Sequence, residues 1–413
     1  MSFKEIAECR VCGSRDLKHL LALGPLAQTG NFLTTQDGAG HEVGPLDLVM
    51  CEGSDSCGLI QLKQTYSLEQ MYGSNYGYRS GLNNSMIAHL FSKVDKIKKM
   101  ALLNKGDTVL DIGSNDGTTL RGYESGEYKL IGVDPTADKF RQYYRDDISV
   151  VADFFPSTSL DQFLKGDRAK VITSFSMFYD LEDPIEFAKN IANVLHEDGI
   201  WVFEQSYVFS MLESNSFDTI CHEHLEYYGL KQVQRICQQA NLKLVDCEFN
   251  DVNGGSFSVV AVHAKNSNIP VSNNLKQAII KEEGYYKEFP NIFEKFLNSV
   301  NELPLKFKIL RERADSEGVN IYCLGASTKG NVLLQYCGLN NTNIASIGEV
   351  NADKYGKYTP GSKIKIVGQE DILTDKNAYF IVLPWHFKKF FESSERFKGL
   401  KLVYPLPQFV LAE

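Results

Sequence analysis

Residues 107–117 read DTVLDIGSNDG, a short apolar run that closes on Asp111 and passes through Gly113 and Gly117 into a segment with helical spacing. A β-branched run, a glycine turn and then a helix is how a parallel sheet begins a crossover. The same rhythm continues outward from it. KLIGVD (129–134), ISVVAD (148–153), KVITSF (170–175) and GIWVFE (199–204) are further apolar runs, separated by helical stretches such as DPIEFAKNIANVLHEDG (183–199). A polar insert (206–230), a helix (QVQRICQQA, 232–240) and two closing strands, LKLVDCEF (242–249) and SFSVVAVHA (256–264), complete the unit. Five parallel units, a helix and a closing hairpin predict an α/β, Rossmann-like sheet of the class I methyltransferase type. Further on, 273–316 reads as an acidic, aromatic helical connector. VNIYCLGASTKGNVLLQYCG (319–338) then starts a second strand, turn and helix, with later strands at 345–350, 378–385 and 400–407. The tail is therefore predicted to be a second Rossmann-like α/β domain.

The turn also predicts a ligand. Gly113 and Gly117 let backbone approach a bound group, and amides at a helix start meet a carboxylate. Ser114, Asn115 and Asp116 line the same turn. Asp134 ends the second strand, where an acid accepts ribose hydroxyls. Asp153 and Phe154 end the third and suit an adenine edge and face; Phe175 and Ser176 end the fourth. The spacing is not G-x-G-x-x-G, and the leading Asp111 with the closing hairpin favours S-adenosylmethionine over a nicotinamide dinucleotide.

The chain has 413 residues and a formal charge of −9, with 43% hydrophobic and 23% charged residues. That size predicts more than one core. Net negative charge without a basic cluster argues against nucleic acid as a partner. No apolar run is long enough to span a membrane, and the start MSFKEIAECR lacks a secretory pattern, so the expected address is cytoplasmic. Four of the nine cysteines come early: Cys9 and Cys12 as a C-x2-C pair, then Cys51 and Cys57 with a wider gap. Four thiolates enclose one zinc ion tetrahedrally, and a full set of protein ligands makes that zinc structural. The wider gap requires a bulge across Glu52 to Ser56. The expected domains are a zinc-binding module (1–66), a methyltransferase domain (67–265) and a Rossmann-like tail (266–413).

These residues resemble the C-methyltransferases of nucleotide-linked 4-keto-6-deoxysugars, and the likeness covers nearly the whole chain. It is carried by the four cysteines, by Asp111 to Gly117, and by the insert FDTICHEHLEYY (217–228). NGGS (253–256), GASTKGN (325–331) and YTPG (358–361) carry it further. The resemblance implies S-adenosylmethionine and structural zinc as cofactors, and a dTDP- or GDP-linked 4-keto-6-deoxysugar as substrate. It implies His224 as the base and Tyr76 as a cleft residue, with a tail that helps to hold the nucleotide sugar. One departure is plain: the residue before H-E-H is usually tyrosine in that family and is Cys221 here, so a phenol at that position cannot be transferred.

The chemistry accounts for these residue types. A carbon beside a ketone is acidic because its carbanion delocalises into an enolate, and imidazole suits the proton transfer. Glu223 and His222 are candidates to orient His224 or to contact a hydroxyl. In an extended segment His222 and His224 would share a side and Glu223 would face away, whereas a helical segment voids that inference. Tyr76, with Tyr78 next, is the candidate donor to the enolate oxygen. Asn253, Ser256, Ser327, Lys329, Asn331 and Tyr358 are the candidate substrate-binding residues, Lys329 adding charge beside the amides of the tail's turn. Trp385 and His386 are candidates to line the same crevice. H-E-H lacks the spacing of a hydrolytic zinc site. The alternatives are a small-molecule O- or N-methyltransferase and a non-catalytic cofactor-binding scaffold; a monomer is expected.

Overall fold

The structure is a computed structural model that describes residues 3–36, 42–67, 71–72 and 78–412. Its middle sheet has seven strands, in the spatial order Leu242–Asn250, Ser256–His263, Leu195–Ser206, Ala169–Phe175, Thr108–Ile112, Lys129–Val133, Ile148–Val151. The five strands that come first in the chain pair in parallel, and Ser256–His263 slots antiparallel between Leu195–Ser206 and Leu242–Asn250. This is the sheet expected from the sequence. All five residues of Thr108–Ile112 are buried, which is why that strand is apolar throughout instead of alternating: a parallel sheet is covered on both faces.

The tail sheet has six strands, ordered Ile366–Gly368, Ile347–Glu349, Ile321–Leu324, Tyr379–Val382, Lys401–Tyr404, Val410–Ala412, and only the last pairing is antiparallel. Strand order reverses between Ile321–Leu324 and Tyr379–Val382, which opens a crevice above their carboxyl ends, where such sheets bind ligands. Between the two sheets runs a helix, Asn273–Glu317, of 45 residues, N-capped by Ser272 and ended by Gly318 in the left-handed conformation. Phe293, Phe296, Val300, Leu303, Phe307 and Leu310 are buried along it at three- and four-residue spacing, so one stripe faces the core. Near its start, the Glu282 carboxylate accepts the amides of Leu230 (2.6 Å) and Lys231 (2.8 Å) and the hydroxyl of Tyr207 (2.9 Å), capping the helix Leu230–Gln239.

The N-terminal module contributes strands Leu17–Ala27, Val43–Cys51 and Ile60–Leu62, and its fourth strand is Glu226–Tyr227, which belongs to the insert of the middle domain. A buried Arg10 locks that graft. Its guanidinium bonds the Leu62 carbonyl (2.7 Å) and Thr65 Oγ1 (2.7 Å), and its Nε lies 3.6 Å from Glu226 Oε1. A second ribbon of the module reaches the tail. Gln335 bonds both the amide and the carbonyl of Ala27, Asn331 Nδ2 donates to Thr29 O (2.7 Å), and Leu33 and Tyr358 exchange backbone hydrogen bonds. No helix among the described residues is long and apolar enough to cross a membrane.

Candidate active site

The four early cysteines meet. Sγ separations are 3.6 Å for Cys9–Cys57, 3.7 Å for Cys12–Cys51 and 3.4 Å for Cys51–Cys57, and all four sulfurs lie within 4.8 Å of one another. A tetrahedron of ~2.3 Å zinc–sulfur bonds has edges of ~3.8 Å, so the set fits zinc. The wide second pair is absorbed by a turn in which Gly53 takes φ +107° and Ser56 N bonds Gly53 O, as the required bulge implies.

At the middle sheet, Gly113 (φ +74°) and Gly117 (φ +73°) form a tight cradle. A Cβ at Gly113 would stand 2.9 Å from Met177 Cγ, and one at Gly117 would stand 2.7 Å from the Tyr144 ring. The side chains of the turn mostly hold it in shape. Asp111 is buried behind it, accepting Thr173 Oγ1 (2.5 Å), and burial pushes its carboxyl up to about 7. Ser114 Oγ pairs with the Tyr144 hydroxyl. Asp134 accepts Asn115 N (2.8 Å) on Oδ2 and both Thr136 N (2.7 Å) and Thr136 Oγ1 (2.5 Å) on Oδ1, so a further lone pair remains on Oδ2. Asp153 and Phe154 stand exposed at the end of the third strand, with Ser157 Oγ bonded to Asp153 (2.6 Å). Phe175 and Ser176 close the fourth, Ser176 at φ +54° with its amide on Glu204 O. The cradle, the acid and the exposed rim suit an adenosyl group with an amino-acid tail.

Sequence reasoning missed a strap over this cradle. Ser80 N donates to Asn115 Oδ1 (3.0 Å), Gly81 N donates to Asp116 Oδ2 (3.0 Å), and Asn115 Nδ2 bonds Tyr78 O. Arg79 lies 3.9 Å above the Tyr143 ring. The polar run Tyr78-Arg-Ser-Gly81 just before the core was the available signal. Tyr78 keeps about half of its surface exposed (50%); Tyr76 lies outside the described residues.

The insert carries His224 at the wall between the two sheets. Residues 221–224 form a turn in which His224 N bonds Cys221 O, so the extended-strand alternation does not apply. Cys221, Glu223 and His224 converge, with their ligating atoms within 4.8 Å of one another. His222 turns away into the N-terminal module, fully buried, with its ring edge against Tyr66 (4.8 Å) and Nε2 near Gly44 O. His224 Nδ1 lies 2.7 Å from Thr219 O. A carbonyl only accepts, so Nδ1 carries the proton and Nε2 is left with a lone pair. Burial, assisted by the Lys329 charge, lowers this imidazole to about 4, while burial raises Glu223 to about 7. Tyr179 packs edge-on against the His224 ring at 4.4 Å.

From the tail, Lys329 Nζ donates to Asn253 O (2.7 Å), joining the two Rossmann-like units at the cleft, and burial lowers its pKa. Trp385 Nε1 donates to Asp218 (2.8 Å) beside it, and His386, lowered to about 3 by burial, feels the same lysine. Ser327 caps its own helix through Gly330 N, and Ser256 Oγ bonds Val252 O. Asn331 Nδ2 and the Tyr358 backbone hold the N-terminal ribbon.

Comparison with known proteins fits this layout. Residues 9–72 match a zinc binding domain, 86–246 a methyltransferase domain, and 251–407 a C-methyltransferase C-terminal domain. The C-methyltransferase NovU of Streptomyces niveus is 29% identical over 98% of this chain and 96% of its own. Among solved structures, the CcbJ methyltransferase of Streptomyces caelestis aligns over 43% of this chain and 88% of its own, at 14% identity and a TM-score of 0.33. A methyltransferase of Clostridium acetobutylicum aligns over 43% and 98%, at 12% identity and a TM-score of 0.31.

Proposed function

We propose that this chain, in which a zinc binding, a methyltransferase and a C-methyltransferase C-terminal domain follow one another, is an S-adenosylmethionine-dependent C-methyltransferase that methylates carbon 3 of a nucleotide-linked 4-keto-6-deoxysugar, carried on dTDP or GDP. It acts as a cytoplasmic monomer. One observation carries the reading: His224 is held in the tautomer that leaves Nε2 unprotonated, in the wall between the cofactor cradle and the tail.

In this reading Nε2 of His224 takes the proton from carbon 3, and the electron pair of that C–H bond moves into the enolate. The cofactor, when bound in the cradle of Gly113 and Gly117 with Asp134 on its ribose, supplies the methyl group on a sulfonium. Glu223, raised to about 7, stands beside the imidazole and bonds a sugar hydroxyl. Lys329, at the junction of the two sheets, faces the diphosphate. Its electrostatic reach to His224 also keeps the imidazole neutral before the proton arrives.

The test is to incubate the protein in deuterated water with dTDP- and GDP-linked 4-keto-6-deoxysugars, without cofactor. The expected result is exchange of the hydrogen on carbon 3 for at least one sugar, abolished in His224→Asn. Methyl transfer to oxygen or nitrogen with no carbon exchange would replace this reading by an O- or N-methyltransferase. NMR of the product made with labelled cofactor locates the methyl group.

A further inference from the structure

The wall around His224 holds one group for which neither the proposed chemistry nor the packing accounts. Tyr179 sits in the short 3-10 turn Phe178–Asp180 after the fourth strand of the middle sheet and is only 8% exposed. Its carbonyl accepts Leu225 N (2.8 Å), so the residue is pinned to the segment that follows the histidine. Its ring meets the imidazole edge-on, centroids 4.4 Å apart at 63°. Its hydroxyl lies near Ser176, at the cofactor end of the fourth strand, and within electrostatic reach of Cys221 and Tyr78. The phenol therefore stands where cofactor rim, base and strap meet. A residue serving only to fill the core there would be phenylalanine, like Phe178 beside it, which is buried with no polar atom.

We propose that Tyr179 is a catalytic residue, whose hydroxyl donates a hydrogen bond to the substrate oxygen that becomes negative when His224 removes the carbon-bound proton. This rests on the enolate reading above. Burial holds the phenol well above its ordinary value, so it keeps its proton and is a donor throughout the working range. The step balances without proton transfer from it. The C–H bond breaks, the proton goes to His224 Nε2, the electron pair spreads onto the carbonyl oxygen, and the Tyr179 O–H stays intact while its hydrogen bond shortens. Such a donor acts because the bond strengthens as charge develops. Position 221 offers only a buried thiol, a weak donor raised well above its ordinary value. Tyr179, packed against the same imidazole, supplies the hydroxyl that position 221 lacks.

Tyr179→Phe in the full chain keeps the ring against His224 and removes only the hydroxyl. It is assayed beside the unaltered protein with dTDP- and GDP-linked 4-keto-6-deoxysugars, reading methyl transfer, exchange of the carbon 3 hydrogen, and cofactor affinity by calorimetry. The expected loss is roughly 10²-fold in kcat and in exchange, with KM and cofactor Kd within about threefold. Exchange in the variant within about twofold of the unaltered rate overturns the proposal and leaves the enolate reading standing. Absence of exchange by the unaltered protein on every sugar, with methyl found on oxygen or nitrogen, overturns both. Should the variant not fold, a fluorinated tyrosine at 179, which retains shape and raises phenol acidity, is expected to change the exchange rate; an unchanged rate overturns the proposal.

Discussion

The middle and tail sheets share a plan and use their glycine turns differently. In each, an acid at the end of the second strand accepts an amide from the turn after the first: Asp134 from Asn115 (2.8 Å), Glu349 from Ala326 (2.8 Å). In the middle unit that acid lies in a crevice with an exposed rim, including Phe154 at 38%. In the tail, Glu349 also takes the amides of Val350 and Asn351, Lys354 holds Ala326 O (2.7 Å), and the helix after the turn grips the N-terminal module through Asn331 and Gln335. The middle unit's turn opens on an exposed rim, while the tail's turn also serves as a joint. The difference lies less in the turn than in what the following helix holds.

The largest expected effect falls on the segment between the two units. His224→Asn should lower turnover by roughly 10³-fold, with cofactor affinity, read by calorimetry, unchanged; a smaller loss in turnover than in cofactor binding would place the histidine in the middle unit's binding site instead. Next, Asp134→Asn should weaken cofactor binding by about 10- to 100-fold, the worth of a hydrogen bond to a charged acceptor. Glu349→Gln should leave cofactor binding alone, and equal losses from both would erase the contrast. Asn331→Ala breaks the tail's hold on Thr29. It should lower unfolding stability by about 1–3 kcal/mol, measured in urea, with little change in cofactor affinity.

The smallest effect is a displacement on the pH axis. His224 is needed neutral, and with its value depressed to about 4 it protonates only as pH falls through that point. The acid limb of kcat/KM should therefore lie near 4, below the ordinary imidazole range. Glu223 is raised to about 7, so a limb near neutrality would assign control to ionisation of that carboxyl.

The seven strands of the middle sheet, four of the six in the tail and the cysteine cluster were legible because periodicity and spacing encode them locally; the spatial order of the strands and the short Ile366–Gly368 and Val410–Ala412 were not. Sidedness in the H-E-H insert was not. Alternation holds for a strand, and 221–224 is a turn, so Glu223 comes to His224 while His222 packs against Tyr66. Asn331 and Tyr358 enter the sequence reading through GASTKGN and YTPG, which say nothing of the joint they also make. What they touch, Thr29 and Leu33, lies some three hundred residues earlier, and no local pattern announces it. Tyr179 was silent for the same reason: a tyrosine after a strand reads as packing until its neighbours from the insert and the strap are in place.

The two residues Glu226–Tyr227 are grown by the middle domain yet hydrogen-bonded into the sheet that carries the zinc knuckles, with Arg10, next to a metal-binding cysteine, braced against Glu226. The segment that carries His224 is thereby tied through one sheet to the four cysteines. Loosening the knuckles, as by stripping a bound metal, would reach that segment through Glu226–Tyr227 before it reached the glycine turn of the middle domain.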